Sequence, residues 1–530
     1  MSTAEHSVTK GNSETIVCKD PATGRVLGEV PSMSRAEVVE KIRRARVAQT
    51  KWRNTSFAER RRVLQDLLAY TLEHADEIAD LTVLDSGKTR EHAMVGEIWP
   101  VAEKLRWTIS EAEKHLVPER LSSGLLVHKR ASVEFHPLGV VGVISPWNFP
   151  FQNILGPTIP ALFAGNGVVI KVSEWSSWSA ARIQRMFDEV LNARGHSPDL
   201  VQILTGRGET GAAVVSGGVD LVIFTGSARN GRRVIEESAK NVIPVILELG
   251  GKDPMIVCDD AHVPQAVHTA LAGAFLTSGQ MCMAIERIYA FEAIHDEFVD
   301  GVVAVAKNLR QGPRGSEITD VGAMTMPGQI DLVERLVNDA VAKGAVVRCG
   351  GKKSKFGQYF EPTVLTNVTH DMAIMKEETF GPVMCIVKVS GEEEAIRMAN
   401  DSEFALSSSV FTKSRERARR IGRQVVAGSM CANDFGLAYI AQDLPFGGAK
   451  ASGFGRLNGR DGLRACTNQK AVLEDRFPIH TPKKLFPAAP GDYEIARSTI
   501  KLIYGGWKQR AIGMRDMATT LVSRITGGRS

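Results

Sequence analysis

The chain has 530 residues, 43% of them hydrophobic and 24% charged, which excludes wholesale disorder and exceeds one ordinary core, so two or three structural units are expected. Its net charge of +5 is unevenly spread: residues 481–530 hold nine Lys or Arg against three acids, a balance of +6, so the other 480 residues sum to −1. A body without basic bias excludes a nucleic-acid partner.

In chain order, residues 1–17 lack the basic and apolar regions of a secretory signal. Residues 34–120 read as helices, beginning with Ser34 as N-cap to a stripe of Val38, Ile42, Ala45 and Ala48. Residues 121–138 alternate in short runs that suit a β-ribbon. From 139 the pattern becomes short β-branched runs separated by amphipathic stretches: GVVGVIS, GVVIKVS, LVQILTG, DLVIFTG, VIPVILELGG and PMIVCDD. Alternating strands and helices imply a doubly wound parallel α/β sheet with ligands at the strand carboxyl ends. A second α/β series runs from about 252 to 445, with helices near 262–276 and 327–343 and strands near 345–349, 383–389 and 407–411. No apolar run approaches the roughly 18 residues of a membrane span.

Seven cysteines, at 18, 258, 282, 349, 385, 431 and 466, are scattered with no CxxC. That pattern predicts reduced thiols in a cytoplasmic setting and no metal site. Cys282, in SGQMCMA, has no sulfur partner nearby, so any chemistry there must come from elsewhere. A catalytic thiol needs a base and oxyanion donors. Three segments could supply them, each expected at a strand end. Asn148 in PWNFP is a neutral amide fixed between prolines. Glu248 in LELGG is an acid in an apolar strand, where burial raises its pKa. GQMC adds the Cys282 N–H.

PWNFP (146–150), IKVSE (170–174), FTGS (224–227), LELGGKDP (247–254), GQMC (279–282), EETFGPV (377–383) and PFGGAKASGFGR (445–456) occur in the order of the NAD(P)-dependent aldehyde dehydrogenase superfamily, which residues 20–475 resemble. The resemblance implies two doubly wound parallel-sheet lobes plus an oligomerisation ribbon. Its boundaries would be a cofactor domain over 1–120 and 139–247, a catalytic domain over 248–448, oligomerisation segments over 121–138 and 449–475, and an amphipathic extension over 476–530. It implies Cys282 as nucleophile, Asn148 and the Cys282 N–H as oxyanion donors, and Glu248 as the base that activates water against a thioester. Lys171 and Glu174 would contact the adenosine ribose, Gly226 and Ser227 the pyrophosphate with Gly231 beyond, and Glu378, Phe380 and Trp147 the nicotinamide side. Glu174 favours NAD, with NADP less favoured, because a carboxylate repels a 2′-phosphate. A homodimer or homotetramer is the expected assembly. Val172 stands where the family usually has proline, and Met281 and Met283 flank the cysteine.

The stretch before Cys282 carries no Lys or Arg, and Phe149, Phe151, Phe275, Leu276 and Phe446 suggest an apolar entrance. An uncharged aliphatic or aromatic aldehyde is therefore expected. A semialdehyde dehydrogenase and a catalytically idle protein on the same fold are the alternatives. The extension resembles that of a plant and fungal branch of the superfamily, without its N-terminal membrane anchor. Ile500, Ile503, Tyr504 and Trp507 share a helical face, as do Met514, Met517, Leu521 and Ile525 after a Gly505-Gly506 break. Two expectations arise for it: packing on its own core or a neighbouring subunit, and peripheral contact with a membrane surface.

Overall fold

The computed structural model describes residues 15–313, 318–477 and 486–526; the signal-peptide reading of residues 1–17 lies almost wholly outside them. The first helices begin where the sequence places polar caps. Ser34 accepts from the Glu37 N–H while Glu37 reaches back to the Ser34 N–H, and the same box at Ser56 and Glu59 opens the next helix. The helices Arg35–Trp52, Phe57–Glu73, Ala75–Ser86 and Trp99–Leu116 follow. A π-helical turn, Met94–Ile98, precedes the last of these.

The first large sheet runs Gly453–Phe454, Val245–Leu249, Leu221–Gly226, Val140–Ile144, Gly167–Lys171, Val201–Leu204. All neighbours are parallel except Gly453–Phe454. Its strands Val140–Ile144 and Gly167–Lys171 are buried except for Ile144 at a carboxyl end, because helices cover both faces. The chain order reverses between Val140–Ile144 and Leu221–Gly226, which opens a crevice at the carboxyl ends. Val172, where the resemblance expects proline, donates its N–H to Leu204 O at 3.1 Å. Proline could not make that ladder bond.

The second sheet runs Val346–Cys349, Thr363–Thr366, Val383–Val389, Ile285–Phe291, Asp253–Val257, Ser409–Phe411, Cys431–Ala432, with only Val346–Cys349 antiparallel. Both lobes are thus doubly wound α/β layers, as the sequence predicts. The segment Gly250-Gly251-Lys252 leads from one sheet straight into the other.

Two boundaries differ from the sequence reading. Gly453–Phe454 pairs with Glu248 and Leu247, and the helix Gly459–Ala465 buries Leu463 in the core of the first lobe. Residues 453–466 therefore belong structurally with the cofactor lobe, because the edge of its sheet needs a cover, while Ala449–Lys450 pairs with Phe404–Ala405 beside the second sheet. The ribbon itself is Thr467–Asp475, Lys129–Pro137 and Glu119–Leu121, in that order.

The chain divides into two compact units, residues 1–119 with 133–471 and residues 120–132 with 472–530. In the second, the extension forms the helices Asp492–Tyr504 and Trp507–Thr526. Gly505 leaves the helical region (φ −75°, ψ 154°), so Trp507 opens the second helix rather than closing the first.

Candidate active site

The thiol sits on a turn the backbone resists. Helix Val263–Phe275 ends, and Thr277, Ser278 and Gly279 then take φ of 51°, 58° and 71° in succession. Only Gly279 adopts this region without cost; each of the other two stores about 1–3 kcal/mol of strain. Hydrogen bonds hold the turn in place. The Ser278 hydroxyl donates to Gly322 O at 2.7 Å, and the Thr277 N–H donates to His92 Nδ1 at 3.1 Å. Gln280 Oε1 accepts from the Thr325 N–H at 2.9 Å. Burial lowers the His92 pKa to about 4, so the ring is a neutral acceptor. Cys282 follows just before the strand Ile285–Phe291. GQMC thus enters its sheet, whereas PWNFP and LELGG leave theirs; the strand-end expectation for the cysteine was incorrect, because the helix before it returns the chain to the start of a strand.

Asn148 leaves the carboxyl end of Val140–Ile144, and its Nδ2 donates to Gln280 O at 3.0 Å, which ties the two loops together. Its Oδ1 accepts from Asn153 Nδ2 at 3.0 Å, which fixes the amide's orientation. Lys88 and Glu97, both fully buried, form an ion pair beneath it. Lys88 Nζ donates to Asn148 O at 2.8 Å, and Glu97 Oε2 accepts the Phe151 and Gln152 N–H groups at 3.1 and 2.8 Å. Gly96 within the π-helical turn makes room for this loop, since a Cβ there would lie 2.5 Å from the Phe149 ring.

Glu248 stands beside Thr225 because the strands Leu221–Gly226 and Val245–Leu249 pair in that register, and residues level on parallel strands share a face. Burial pushes the Glu248 carboxyl up to about 7, against the pull of the Cys282 thiol and Thr225. Its Oε1 accepts no hydrogen bond from the described residues. Burial first, and the Glu248 carboxylate second, hold the Cys282 thiol well above its usual value. The Cys282 N–H has no backbone acceptor among the described residues. A thiol, an adjacent base near neutrality and two free donor directions can support acyl chemistry.

Two cavities meet at these residues. Asn148, Thr225, Glu248 and Cys282 line both. One cavity, of about 150 Å³, is mostly apolar, with Trp99, Phe149, Leu276, Met281, Met283, Phe435, Tyr439 and Phe446 among its walls. Phe151 and Phe275 do not line it; they are core residues with 0% and 3% exposure, a correction to the sequence reading. Lys104 does line it, buried and without a carboxylate partner among the described residues. Its Nζ donates to Asn458 Oδ1, and burial lowers its pKa to about 7.

The other cavity is a cleft of about 520 Å³ that contains Trp147, Lys171, Glu174, Gly226, Ser227, Glu378 and Phe380. Lys171 Nζ lies 3.2 Å from Glu174 Oε2 at the end of the strand Gly167–Lys171. Ser227 caps the helix Ala228–Ala239, whose first N–H groups open at the cleft. Gly231 is not on it; a Cβ there would meet Leu249 at 2.8 Å, so it serves helix–strand packing. Glu378 accepts the Gly251 N–H at 3.0 Å, and burial raises its pKa to about 8. Phe380 has φ 48° and meets the Trp147 ring edge-on at 5.4 Å. Buried Glu286, paired with Lys252, accepts the Thr379 and Phe380 N–H groups and fixes that conformation. A strand-end cleft with a helix N-terminus, a ribose-type carboxylate and paired aromatic rings fits a dinucleotide.

The sequence reading missed Thr225, Lys88, Glu97, Lys104 and Glu286. Strand register could have found Thr225, which sits inside the FTGS motif; nothing local marks the others. Arg456, quoted within its motif, donates to Gly448 O and Gly455 O and shapes a turn.

The aldehyde dehydrogenase family matches residues 8–472. An aldehyde dehydrogenase-like protein of Schizosaccharomyces pombe is 36% identical over 508 residues, covering 93% of this chain and 97% of its own. The 4,4′-diapolycopene aldehyde oxidase of a Methylomonas species is 37% identical over 496 residues, covering 93% and 92%. The crystal structure of Staphylococcus aureus betaine aldehyde dehydrogenase in complex with NAD+ superposes with TM-score 0.84 at 30% identity, covering 90% of this chain and 95% of that one. The strained cysteine turn, the buried acid beside it and the strand-end cleft are thus set in a fold shared along almost the whole chain, which belongs to the aldehyde dehydrogenase family.

Proposed function

We propose that the chain oxidises an aldehyde to a carboxylic acid with NAD, through covalent intermediates on Cys282. The observation that carries this reading is the junction at which Asn148, Thr225, Glu248 and Cys282 border both an apolar cavity and a dinucleotide-sized cleft.

Because the thiol is held protonated, Glu248 accepts its proton as the sulfur bonds to the aldehyde carbon. Asn148 Nδ2–H and the Cys282 N–H receive the resulting oxyanion. A nicotinamide dinucleotide bound in the cleft supplies the hydride acceptor. Trp147 and Phe380 would flank its ring, Glu378 would hold the nearby ribose, and Gly226 and Ser227 would face the pyrophosphate. Lys171 and Glu174 would hold the adenosine ribose, where the Glu174 carboxylate would favour NAD over NADP. Oxidation leaves a thioester. Glu248 first releases the thiol's proton to solvent and then takes one from water, whose oxygen attacks the acyl carbon; the C–S bond breaks and the sulfur regains its proton from Glu248.

The walls favour an uncharged, apolar aldehyde. Lys104 supports a second reading, a semialdehyde whose acidic far end meets that lysine, because an ammonium has three donors and Asn458 takes one. The strand Thr467–Asp475 is an edge of its sheet, which suits pairing with another copy in a dimer or tetramer. NADH formation across apolar aldehydes and matched ω-carboxylated ones, with wild type and Cys282→Ala, tests the proposal. The alanine variant should be inactive on all of them; activity equal to wild type would overturn it. A higher kcat/KM for the ω-carboxylated series would select the second reading.

A further inference from the structure

The hairpin of residues 492–526 is built inside out. Where its two helices meet, the buried positions are Ser498 and Gly513, and a Cβ on Gly513 would lie 2.9 Å from Ser498 O. Small residues let the helices cross closely, but they leave the large apolar side chains nothing to pack on. Trp507, Met514, Leu521 and Ile525 share one open face of the second helix. Tyr493, Ile500 and Tyr504 lie open on the first. The tip presents two open rings, Tyr504 at 74% and Trp507 at 78%.

Charge decides what covers this face. Residues 492–526 carry six Lys or Arg and three acids. Both aspartates are spent inside the hairpin: Asp516 on Lys501, Arg515 and Arg497, and Asp492 on Arg524. Lys508 and Arg510, beside the tip, make no ion pair among the described residues; Lys508 instead lies 5.3 Å from the centre of the Trp507 ring. A second copy would bring the same uncompensated cations against each other. An anionic lipid surface offers phosphates for Lys508 and Arg510, and an interfacial layer in which Tyr and Trp are favoured.

We propose that this hairpin docks, tip and open face first, on a membrane surface bearing anionic headgroups. It lies on the surface and does not span it, since no helix among the described residues is long and apolar enough to cross a membrane.

Co-sedimentation of the full chain with phosphatidylcholine vesicles, with or without about 30% phosphatidylserine at roughly 0.1 M salt, tests this. Wild type should bind the anionic vesicles about ten-fold or more over the neutral ones. Lys508→Glu with Arg510→Glu should abolish that preference, and Tyr504→Ser with Trp507→Ser should weaken binding to both. NADH formation and molar mass should stay unchanged, since these residues are remote in the chain from Cys282 and its partners. No binding by wild type, or equal binding by the variants, would overturn the proposal. A fall in molar mass on Trp507→Ser would overturn it too, because the face would then be a subunit contact.

Discussion

The two cavities that meet at Cys282 are built in different ways. The polar cleft takes most of its walls from loops at strand ends of the first sheet, around residues 144–148, 171–175, 224–230 and 248–250, and is completed by Glu378, Phe380 and a few residues of the second lobe. The apolar cavity draws on residues from 95–104, 148–157, 276–283, 435–446 and 457, and no single element carries it. The lesson is about tolerance. A cleft made of strand ends is anchored by a shared sheet, whereas the cavity depends on how separate helices and loops are clamped.

The clamp itself gives the largest expected effect. Lys88→Met leaves Glu97 as an uncompensated buried charge, which should cost about 3–5 kcal/mol of stability, read by urea unfolding. It should also reduce kcat on every aldehyde, because the Asn148 loop loses its anchor. The double variant Lys88→Met with Glu97→Leu should recover much of the stability but not the kcat. An equal recovery of both would break the view that the pair positions the loop.

Asn148→Ala should lower kcat by about 10²–10³-fold, or 3–4 kcal/mol in barrier, with little change in cofactor affinity. A matching loss of cofactor affinity would blur the boundary between the two cavities. Glu248 links them through pH. Only its deprotonated form is a base, so turnover should rise as pH increases through about 7, and Glu248→Gln should abolish that rise.

Stability should move the opposite way. A carboxyl raised in the folded state contributes fully below its unfolded value of about 4.5, and the contribution is lost as pH climbs to about 7. Above that window, Glu248→Gln should therefore be more stable than wild type, by up to about 3 kcal/mol in unfolding experiments. The smallest effect is expected at the cleft's far end. Glu174→Ala should narrow the preference for NAD over NADP by roughly ten-fold in kcat/KM, while kcat with NAD changes little.

How far the sequence could be read follows from the same contrast. The caps at Ser34 and Ser56, the β-branched runs and the turn motifs are local, and their elements were legible. So were Cys282, Glu248 and Asn148, because each lies in a distinctive short motif. The strands Thr363–Thr366 and Cys431–Ala432 were not, since four-residue and two-residue strands carry no periodicity. Phe151 and Phe275 were misjudged because a phenylalanine beside a motif looks the same whether it faces a cavity or a core. Residues 449–466 were given to the ribbon, yet Ser452 accepts the Leu249 N–H through its carbonyl and donates its hydroxyl to Gly250 O, which secures the Glu248 strand from outside.

By itself the sequence determined the alternation of strand and helix, the three candidate groups for thiol chemistry, and the polar residues at strand ends. These are properties of short segments, fixed by spacing and residue type. Only the tertiary structure decided that Lys88 and Glu97 brace the Asn148 loop, that Glu286 sets Phe380, that Lys104 faces the apolar cavity, and that the hairpin's apolar side chains lie open. Those facts depend on which buried charges meet and which surfaces are covered, and burial is a property of the folded chain, not of any stretch within it.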